Sequence, residues 1–165
     1  MGDTGQDYLY HISDGRAGVK ETLDIMAKLA REYSIVPRII LTSRMLLSGV
    51  PPKAWKKEIR ALFNFVQKHI RYTRDTSETE LLMTPTRLLD IRSGDCDDKS
   101  LLLATLLLSI DHPVRFKAVG FEPGVLSHVY VQAKCGADWI ALDATENFGM
   151  GWEPPDIRDL EIVHI

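Results

Sequence analysis

The apolar positions of the first half of the chain recur at steps of three and four residues, which is the spacing of amphipathic helices. This spacing predicts three helices, over about residues 19–33, 37–48 and 53–70. A short helical turn is predicted over residues 86–91. Residues 1–15 are polar and contain several glycines, so we expect a lead-in or an edge element there.

A leucine-rich stretch that begins at Cys96 is apolar on every side of a helix. Its apolar members are Leu101, Leu102, Leu103, Ala104, Leu106, Leu107, Leu108 and Ile110. A helix with this pattern is buried all round, so we predict that it is the central helix of the fold. Pro113 ends it, because proline cannot continue a helix.

Beyond Pro113 the apolar positions alternate with period two, which is typical of strands. We predict three antiparallel strands, over about residues 114–119, 129–131 and 139–142. The tail, residues 149–165, contains two adjacent prolines and is expected to wrap the surface.

The length of 165 residues fits one domain, with a helical part over about 16–112, a sheet part over about 113–148 and the C-terminal wrap over 149–165. Helices come first and strands follow, so the predicted class is α+β. The expected architecture places N-terminal helices and the central cysteine-bearing helix against an antiparallel sheet.

Charge and hydropathy exclude some classes of function. The formal net charge is -3 and the sequence pI is about 5.9, so the chain lacks the basic field that binds nucleic acid. The N-terminus lacks the pattern of a secretory signal, and no apolar stretch reaches the ~18 residues of a membrane span. We therefore expect a cytoplasmic protein that binds neither nucleic acid nor membrane, and we leave its oligomeric state open.

Cys96 is the candidate nucleophile. An ordinary thiol has a pKa of ~8.5, and a position in the first turn of a helix lowers it because the unpaired N–H groups favour a negative charge. The neighbouring Asp95, Asp97 and Asp98 oppose that effect, so a reactive thiolate requires an imidazolium partner. Asp95 and Asp98 also have the spacing of a reciprocal capping pair.

The predicted hairpin supplies such a partner. A two-residue turn at residues 136–137 places Asp143 opposite Tyr130, and His128 then lies diagonal to Asp143 on the same face. The other face is wholly apolar and carries Val129, Val131, Ala133, Ile140 and Leu142. Shifting the pairing of the two strands by one residue would place polar and apolar side chains on the same face, so the wholly apolar face supports this register.

These positions indicate a nucleophile, a base and an orienting carboxylate. Cys96 would attack an amide or ester carbonyl, His128 would take and return a proton, and Asp143 would fix the imidazole tautomer. The product of the first step is a thioester.

A tetrahedral intermediate also needs hydrogen-bond donors for its oxyanion. The backbone N–H of Cys96, at a helix start, is one candidate. The second donor could come from the side chain of Gln67, Tyr72 or Trp139, and the sequence does not choose among them.

Metal sites fit the sequence poorly. The acids around Cys96 suggest calcium, but Lys99 and the lack of a suitably placed glycine break the pattern of an EF-hand loop. A zinc site built from Cys96, His112, His128 and Cys135 would lack the usual short paired spacing. We predict no metal and no cofactor, and we expect both cysteines to be free thiols.

Five segments of the chain resemble the transglutaminase-like superfamily, in the order of that family. They are RYT at 71–73, TPTRLL at 84–89, SGDCDDKSLL at 93–102, SHVYV at 127–131 and WIALDAT at 139–145. The resemblance implies a papain-like thiol fold, with Cys96 as nucleophile, His128 as base and Asp143 as orienter. The helical region before Tyr72 is similar to compact versions of the domain in bacteria and their phages.

The superfamily includes protein cross-linkers, cysteine peptidases, peptide amidases and inactive members, so the resemblance implies thiol acyl chemistry more strongly than it implies a substrate. Our first hypothesis is an enzyme that hydrolyses or transfers an acyl group from a protein or peptide amide, with hydrolysis favoured. The alternative is a non-catalytic binding or assembly module that retains the fold.

Overall fold

The computed structural model describes residues 8–9, 15–74 and 81–165. Most of the predicted polar lead-in, residues 1–7 and 10–14, lies outside the described residues. So do residues 75–80, in the segment that precedes the candidate nucleophile.

The predicted helices are present, with boundaries shifted by a few residues. They are α1 (Gly15–Ser34), α2 (Pro37–Leu46), α3 (Trp55–His69), α4 (Pro85–Ile91) and α5 (Cys96–Leu108). Pro37 and Pro85 each stand in a first helical turn, where the missing N–H costs nothing. In α4 the hydroxyl of Thr84 caps the helix by accepting from the backbone N–H of Arg87.

The central position predicted for α5 is confirmed. All residues from 98 to 107 are buried, and α5 packs against the other four helices and against two strands of the main sheet. An amphipathic helix could not do this, because its polar face would have to reach water.

Among the described residues, the main sheet contains four antiparallel strands: β5 (Val114–Gly120), β6 (His128–Cys135), β7 (Asp138–Leu142) and β8 (Asp159–His164). Their order across the sheet is β7-β6-β5-β8. The three predicted strands are present, but the expectation that the tail wraps the surface is wrong for residues 159–164, which form a fourth strand. The end of the tail pairs with β5 from Arg115 opposite His164 to Gly120 opposite Asp159, since β5 would otherwise present an unpaired edge.

In the part of the chain that the structure describes, two short strand pairs lie outside the main sheet. The strand β1 (Tyr8–Leu9) pairs with β3 (Leu81–Leu82), and β2 (Arg71–Tyr72) runs parallel to β4 (Ser93–Gly94). The second pair sets Tyr72 beside Gly94, two residues before α5 begins.

The predicted hairpin register is confirmed. Cys135 lies opposite Asp138, and the ladder continues to Val131 opposite Leu142, which is the register that the sequence predicts; β7 ends there, just before Asp143. The predicted apolar face packs on the helices through Val129, Val131, Ala133 and Leu142, with Ile140 at its margin.

The second face of the sheet is covered by the tail. Glu153 presents one carboxylate oxygen, Oε1, to three donors: Lys117 Nζ at 2.9 Å, Tyr130 Oη at 3.0 Å and Gln132 Nε2 at 2.9 Å. Burial raises the pKa of the Glu153 carboxyl, but these partners outweigh burial and hold it below its usual value. The tail is therefore tied to the sheet by a charged hydrogen-bond network.

Gly120, at the end of β5, leaves no room for a side chain. A Cβ atom built there would lie 1.7 Å from the carbonyl oxygen of Val125. We predict that Gly120→Ala lowers the free energy of unfolding by about 2 kcal/mol or more in urea denaturation, because the backbone of residues 120–126 must shift. Gly49→Ala is the matched control, since its Cβ meets nothing within 4 Å and the change should be neutral or slightly stabilising. Equal effects of the two substitutions would contradict this packing.

Candidate active site

The helix that carries Cys96 begins with a capping box, as the sequence predicts. The Asp95 carboxylate accepts from the N–H groups of Asp97 at 3.0 Å and Asp98 at 3.1 Å, and the Asp98 carboxylate accepts from the N–H of Asp95. Cys96 is therefore the first residue of a firmly capped helix, with its N–H among those that lack a carbonyl within the helix.

Asp98 also fixes the neighbouring loop. Its other oxygen accepts from the Met83 N–H at 2.9 Å. Burial, followed by the charge of Asp95, raises the pKa of the Asp98 carboxyl to about 8. Gly94 makes this arrangement possible, because a Cβ there would lie 2.8 Å from the Asp98 side chain and 2.9 Å from Leu88.

His128 and Asp143 form a direct pair. The distance from His128 Nε2 to Asp143 Oδ2 is 2.7 Å, and Asp143 Oδ1 accepts from the backbone N–H and the hydroxyl of Thr145. Burial alone would raise the pKa of the Asp143 carboxyl, but the bonds from His128 and Thr145 hold it below its usual value. Because Nε2 is bonded to Asp143, the other ring nitrogen of His128, Nδ1, can exchange a proton with a different group.

The backbone of Val129 connects the helix to this pair. The Gly151 N–H donates to the Ala141 carbonyl, so this carbonyl points away from β6. The backbone groups of successive residues alternate in direction, so those of Leu142 point toward β6 and make the last bonds of the ladder, to Val131. The N–H and C=O of Val129 point to the same side of β6 as those of Val131. Because β7 ends at Leu142, no residue of β7 pairs with them.

The N-terminal end of α5 takes the place of the missing strand. Ser100 Oγ donates to the Val129 carbonyl at 3.2 Å. The Val129 backbone also lowers the pKa of the Cys96 thiol, whose sulfur donates to Asp97 Oδ1 at 3.6 Å. The structure thus sets Cys96 against the residue that follows His128. This brings the nucleophile, base and orienter predicted from the sequence into one region.

The resting thiol is protonated. Burial raises the pKa of the Cys96 thiol well above its usual value, and the charges of Asp97 and Asp95 raise it further. The bond from Val129 acts in the opposite direction but is weaker. A thiolate therefore requires a base that takes the proton as the sulfur reacts.

Two of the oxyanion candidates lie elsewhere or are engaged. Gln67 Nε2 donates to the carbonyls of Glu146 and Phe148, both at 2.7 Å, so its amide hydrogens hold the loop that follows Asp143. Trp139 stands near the start of β7, where the Arg115 guanidinium lies 4.2 Å from the centre of its ring. Four residues of extended strand separate it from Asp143, a distance of about 13 Å.

Tyr72 and the Cys96 N–H remain as donors. Tyr72 is 40% exposed, and its backbone pairs with Gly94 immediately before the helix.

The sequence analysis did not predict that Ser100 belongs to the site. A hydroxyl four residues after Cys96, on the same face of a leucine-rich helix, was the available signal.

A pocket of about 390 Å³ lies along the outer edge of β7, between Lys56, Trp139 and Glu153. Cys96, His128 and Asp143 do not line it, so the pocket is separate from the thiol region.

In the described ranges no three His, Cys, Asp or Glu side chains come close enough to hold a metal ion. None of the helices described is both long and apolar enough to cross a membrane.

Residues 42–144 match the sequence family described as the transglutaminase-like superfamily. The match covers more than half of the chain, and the chain belongs to this superfamily. A search of curated protein sequences found no match.

Solved structures share the fold. Calcium-bound LapG of Legionella pneumophila superposes with a TM-score of 0.56 at 18% identity, over 82% of this chain and 80% of LapG. A proposed cysteine protease of Cytophaga hutchinsonii superposes with a TM-score of 0.54 at 16% identity, over 76% of this chain. This chain covers only 46% of that protein's length. At these identities the likeness shows the fold alone.

The charge of Asp97 raises the pKa of the Cys96 thiol more than any other charge does, so we predict that Asp97→Asn lowers that pKa. At a fixed neutral pH we expect roughly tenfold faster alkylation of Cys96, measured by mass spectrometry of its peptide. The control is Asp138→Asn, at the exposed end of the hairpin, which should leave the rate unchanged. An unchanged rate in Asp97→Asn would contradict the electrostatic account of the thiol.

Proposed function

We propose that the protein is a thiol enzyme that cleaves or transfers an acyl group from a protein or peptide amide, using Cys96, His128 and Asp143. One observation carries the proposal. His128 is bonded to a buried carboxylate, and Ser100, on the helix that begins at Cys96, donates to the carbonyl of the residue that follows His128. Cysteine, histidine and carboxylate together provide a nucleophile, a base and an orienter.

In the first half of the reaction, the Cys96 sulfur attacks the carbonyl carbon as its proton passes to His128 Nδ1. Asp143 holds the proton on Nε2 and stabilises the imidazolium that forms. The tetrahedral intermediate then collapses, the C–N bond breaks, and the imidazolium returns a proton from Nδ1 to the leaving amine. A thioester on Cys96 remains.

In the second half, a water molecule attacks the thioester as His128 takes its proton. The second tetrahedral intermediate expels the sulfur, which regains a proton from His128, and a carboxylic acid is released. An amine in place of water would give a new amide, which is the cross-linking reaction.

The oxyanion in both halves would be held by the Cys96 N–H, with the Tyr72 hydroxyl as the candidate second donor. Tyr72 is favoured over Gln67 and Trp139 because its strand ends beside Gly94 and its side chain reaches solvent near the helix start. Donors of this kind stabilise charge that develops only in the transition state.

Hydrolysis is favoured over transfer to an amine. The sequence shows no feature that would select an amine over water. The Cytophaga protein of the same fold is described as a proposed cysteine protease, which agrees with a hydrolytic reaction.

The alternative is a non-catalytic binding or assembly module. The observation that favours it is the raised pKa of the Cys96 thiol, because burial and two adjacent carboxylates are the opposite of what activates a free cysteine. Under this alternative, His128 and Asp143 would be a structural pair without influence on the thiol.

Alkylation with iodoacetamide distinguishes the thiol enzyme from the non-catalytic module. We predict that Cys96 is labelled faster than Cys135 at neutral pH, because His128 can accept the thiol proton. His128→Ala should slow labelling of Cys96 by roughly 10²-fold or more and leave Cys135 unaffected, as general-base assistance is worth that much. Peptide mass spectrometry over time measures both cysteines in one sample, so Cys135 serves as the internal control. Slow labelling of both cysteines, with no effect of His128→Ala, would favour the non-catalytic module.

A further inference from the structure

The outer edge of β7 carries backbone groups without a strand partner. The Gly151 N–H donates to the Ala141 carbonyl on this edge at 2.8 Å. Because backbone groups two residues apart point the same way, the N–H and C=O of Trp139 and the N–H of Ala141 also point outward. Within the described part of the chain, none of these three groups forms a hydrogen bond. The edge therefore offers the donors and the acceptor that another strand requires.

The pocket of about 390 Å³ lies on these backbone groups. Three consecutive residues of β7, 139–141, line the pocket. Successive side chains of a strand point to opposite faces, so a cavity that contacts all three residues lies against the strand edge itself. Its volume is in the range of about 300–1,000 Å³ that is usual for ligand pockets, so it has room for side chains of a strand laid along this edge.

Side-chain contacts hold the wall of this pocket in place. The Arg115 guanidinium lies 4.2 Å from the centre of the Trp139 ring, and Arg115 Nε donates to Gln132 Oε1 at 2.7 Å. Gln132 Nε2 in turn donates to Glu153 Oε1 at 2.9 Å. Trp139, Gln132 and Glu153 all line the pocket. A wall that is already ordered reduces the conformational entropy lost when a ligand binds.

Positive charge surrounds the β7 edge. Lys56 lines the pocket, and Arg115 and Lys134 lie beside Trp139 on the sheet. Glu153 also lines the pocket, but its carboxylate already accepts from three donors, one of which is an ammonium group. The charges that remain to meet a ligand at this edge are therefore mainly positive.

These charges distinguish two kinds of strand that could pair with β7. A second copy of this chain, paired edge to edge, would bring Lys56, Arg115 and Lys134 toward the same cations of the other copy, which is unfavourable. The exposed Asp138, at the start of β7, offers one acid in return. An acidic peptide would meet opposite charge along the whole edge, so the charges favour the peptide.

We propose that the β7 edge, residues 139–141, binds an extended acidic peptide segment of a partner protein by strand addition. The peptide backbone would pair with Trp139 and Ala141, its side chains would enter the pocket, and its carboxylates would face Lys56 and Arg115. The site is separate from the thiol region, so the proposal does not depend on the acyl chemistry. Cations on a strand edge also serve to prevent aggregation, and in that role they would bind no peptide.

The probe is a fluorescein-labelled octapeptide of alternating glutamate and valine, titrated with the full chain at neutral pH and followed by fluorescence anisotropy. The first control peptide is methylated at every backbone nitrogen, so it keeps the charges but cannot donate hydrogen bonds. The second control has lysine in place of glutamate. We expect saturable binding of the acidic peptide and much weaker binding of both controls. Absent binding, or equal binding of either control, would overturn the proposal.

Lys56→Glu and Lys57→Glu separate the charge at the pocket from the net charge of the protein. Both lysines are exposed on α3, but Lys56 lines the pocket and Lys57 does not. We expect Lys56→Glu to weaken binding of the acidic peptide roughly tenfold, and Lys57→Glu to weaken it much less. Equal weakening by the two variants would contradict binding at the pocket.

Amide hydrogen exchange measured by NMR locates the bound peptide. In the free protein, the amides of Trp139 and Ala141 should exchange faster than those of Ile140 and Leu142, which bond to β6. At about ten times the dissociation constant of the peptide, exchange of the first pair should slow roughly tenfold, because the edge is then free about one tenth of the time. Ile140 and Leu142 are the internal control and should not change.

Two results of the exchange experiment would overturn the proposal. Peptide binding without protection of Trp139 and Ala141 would place the peptide elsewhere on the protein. Protection of these amides that rises with protein concentration in the absence of peptide would assign the edge to a second copy of this chain.

Discussion

The site depends on the point at which β7 ends. Leu142 makes the last bonds to β6, and the backbone N–H and C=O of Val129 are left without a strand partner. Buried backbone groups must be satisfied, and the Ser100 hydroxyl, near the start of α5, donates to the Val129 carbonyl. The same early end of β7 releases Asp143 from the ladder to meet His128. One interrupted strand thus positions all three candidate residues.

The charges around Cys96 divide between folding and chemistry. Asp95 and Asp98 cap the start of α5, and Asp98 also holds the Met83 N–H. The pKa of the Cys96 thiol is raised by burial and then by the charges of Asp97 and Asp95, so one of the two capping carboxylates also disfavours the thiolate. Under the proposed function, such a site keeps its cysteine protonated at rest and relies on transfer of the proton to His128 during the reaction.

The sequence predicted the features that are set by local periodicity. The hairpin register was predicted from its two-residue turn and from the separation of polar and apolar side chains onto opposite faces. The capping box was predicted from the spacing of Asp95 and Asp98. The strand β8 was missed, because the residues that it pairs with in β5 lie 39 to 49 positions earlier in the chain and the adjacent prolines indicated a surface tail. Ser100 was missed as well, because its role arises from the Val129 carbonyl, which only the assembled fold brings to the helix.

In the proposed reaction Cys96 forms a thioester with help from His128 and Asp143. Intact-protein mass spectrometry after mixing with an activated acyl ester detects this thioester, because it adds the mass of one acyl group. We expect rapid acylation of wild type at Cys96, no adduct in Cys96→Ala, and greatly slowed acylation in His128→Ala and Asp143→Ala. Acylation that is absent from wild type, or that proceeds equally in His128→Ala, would contradict it.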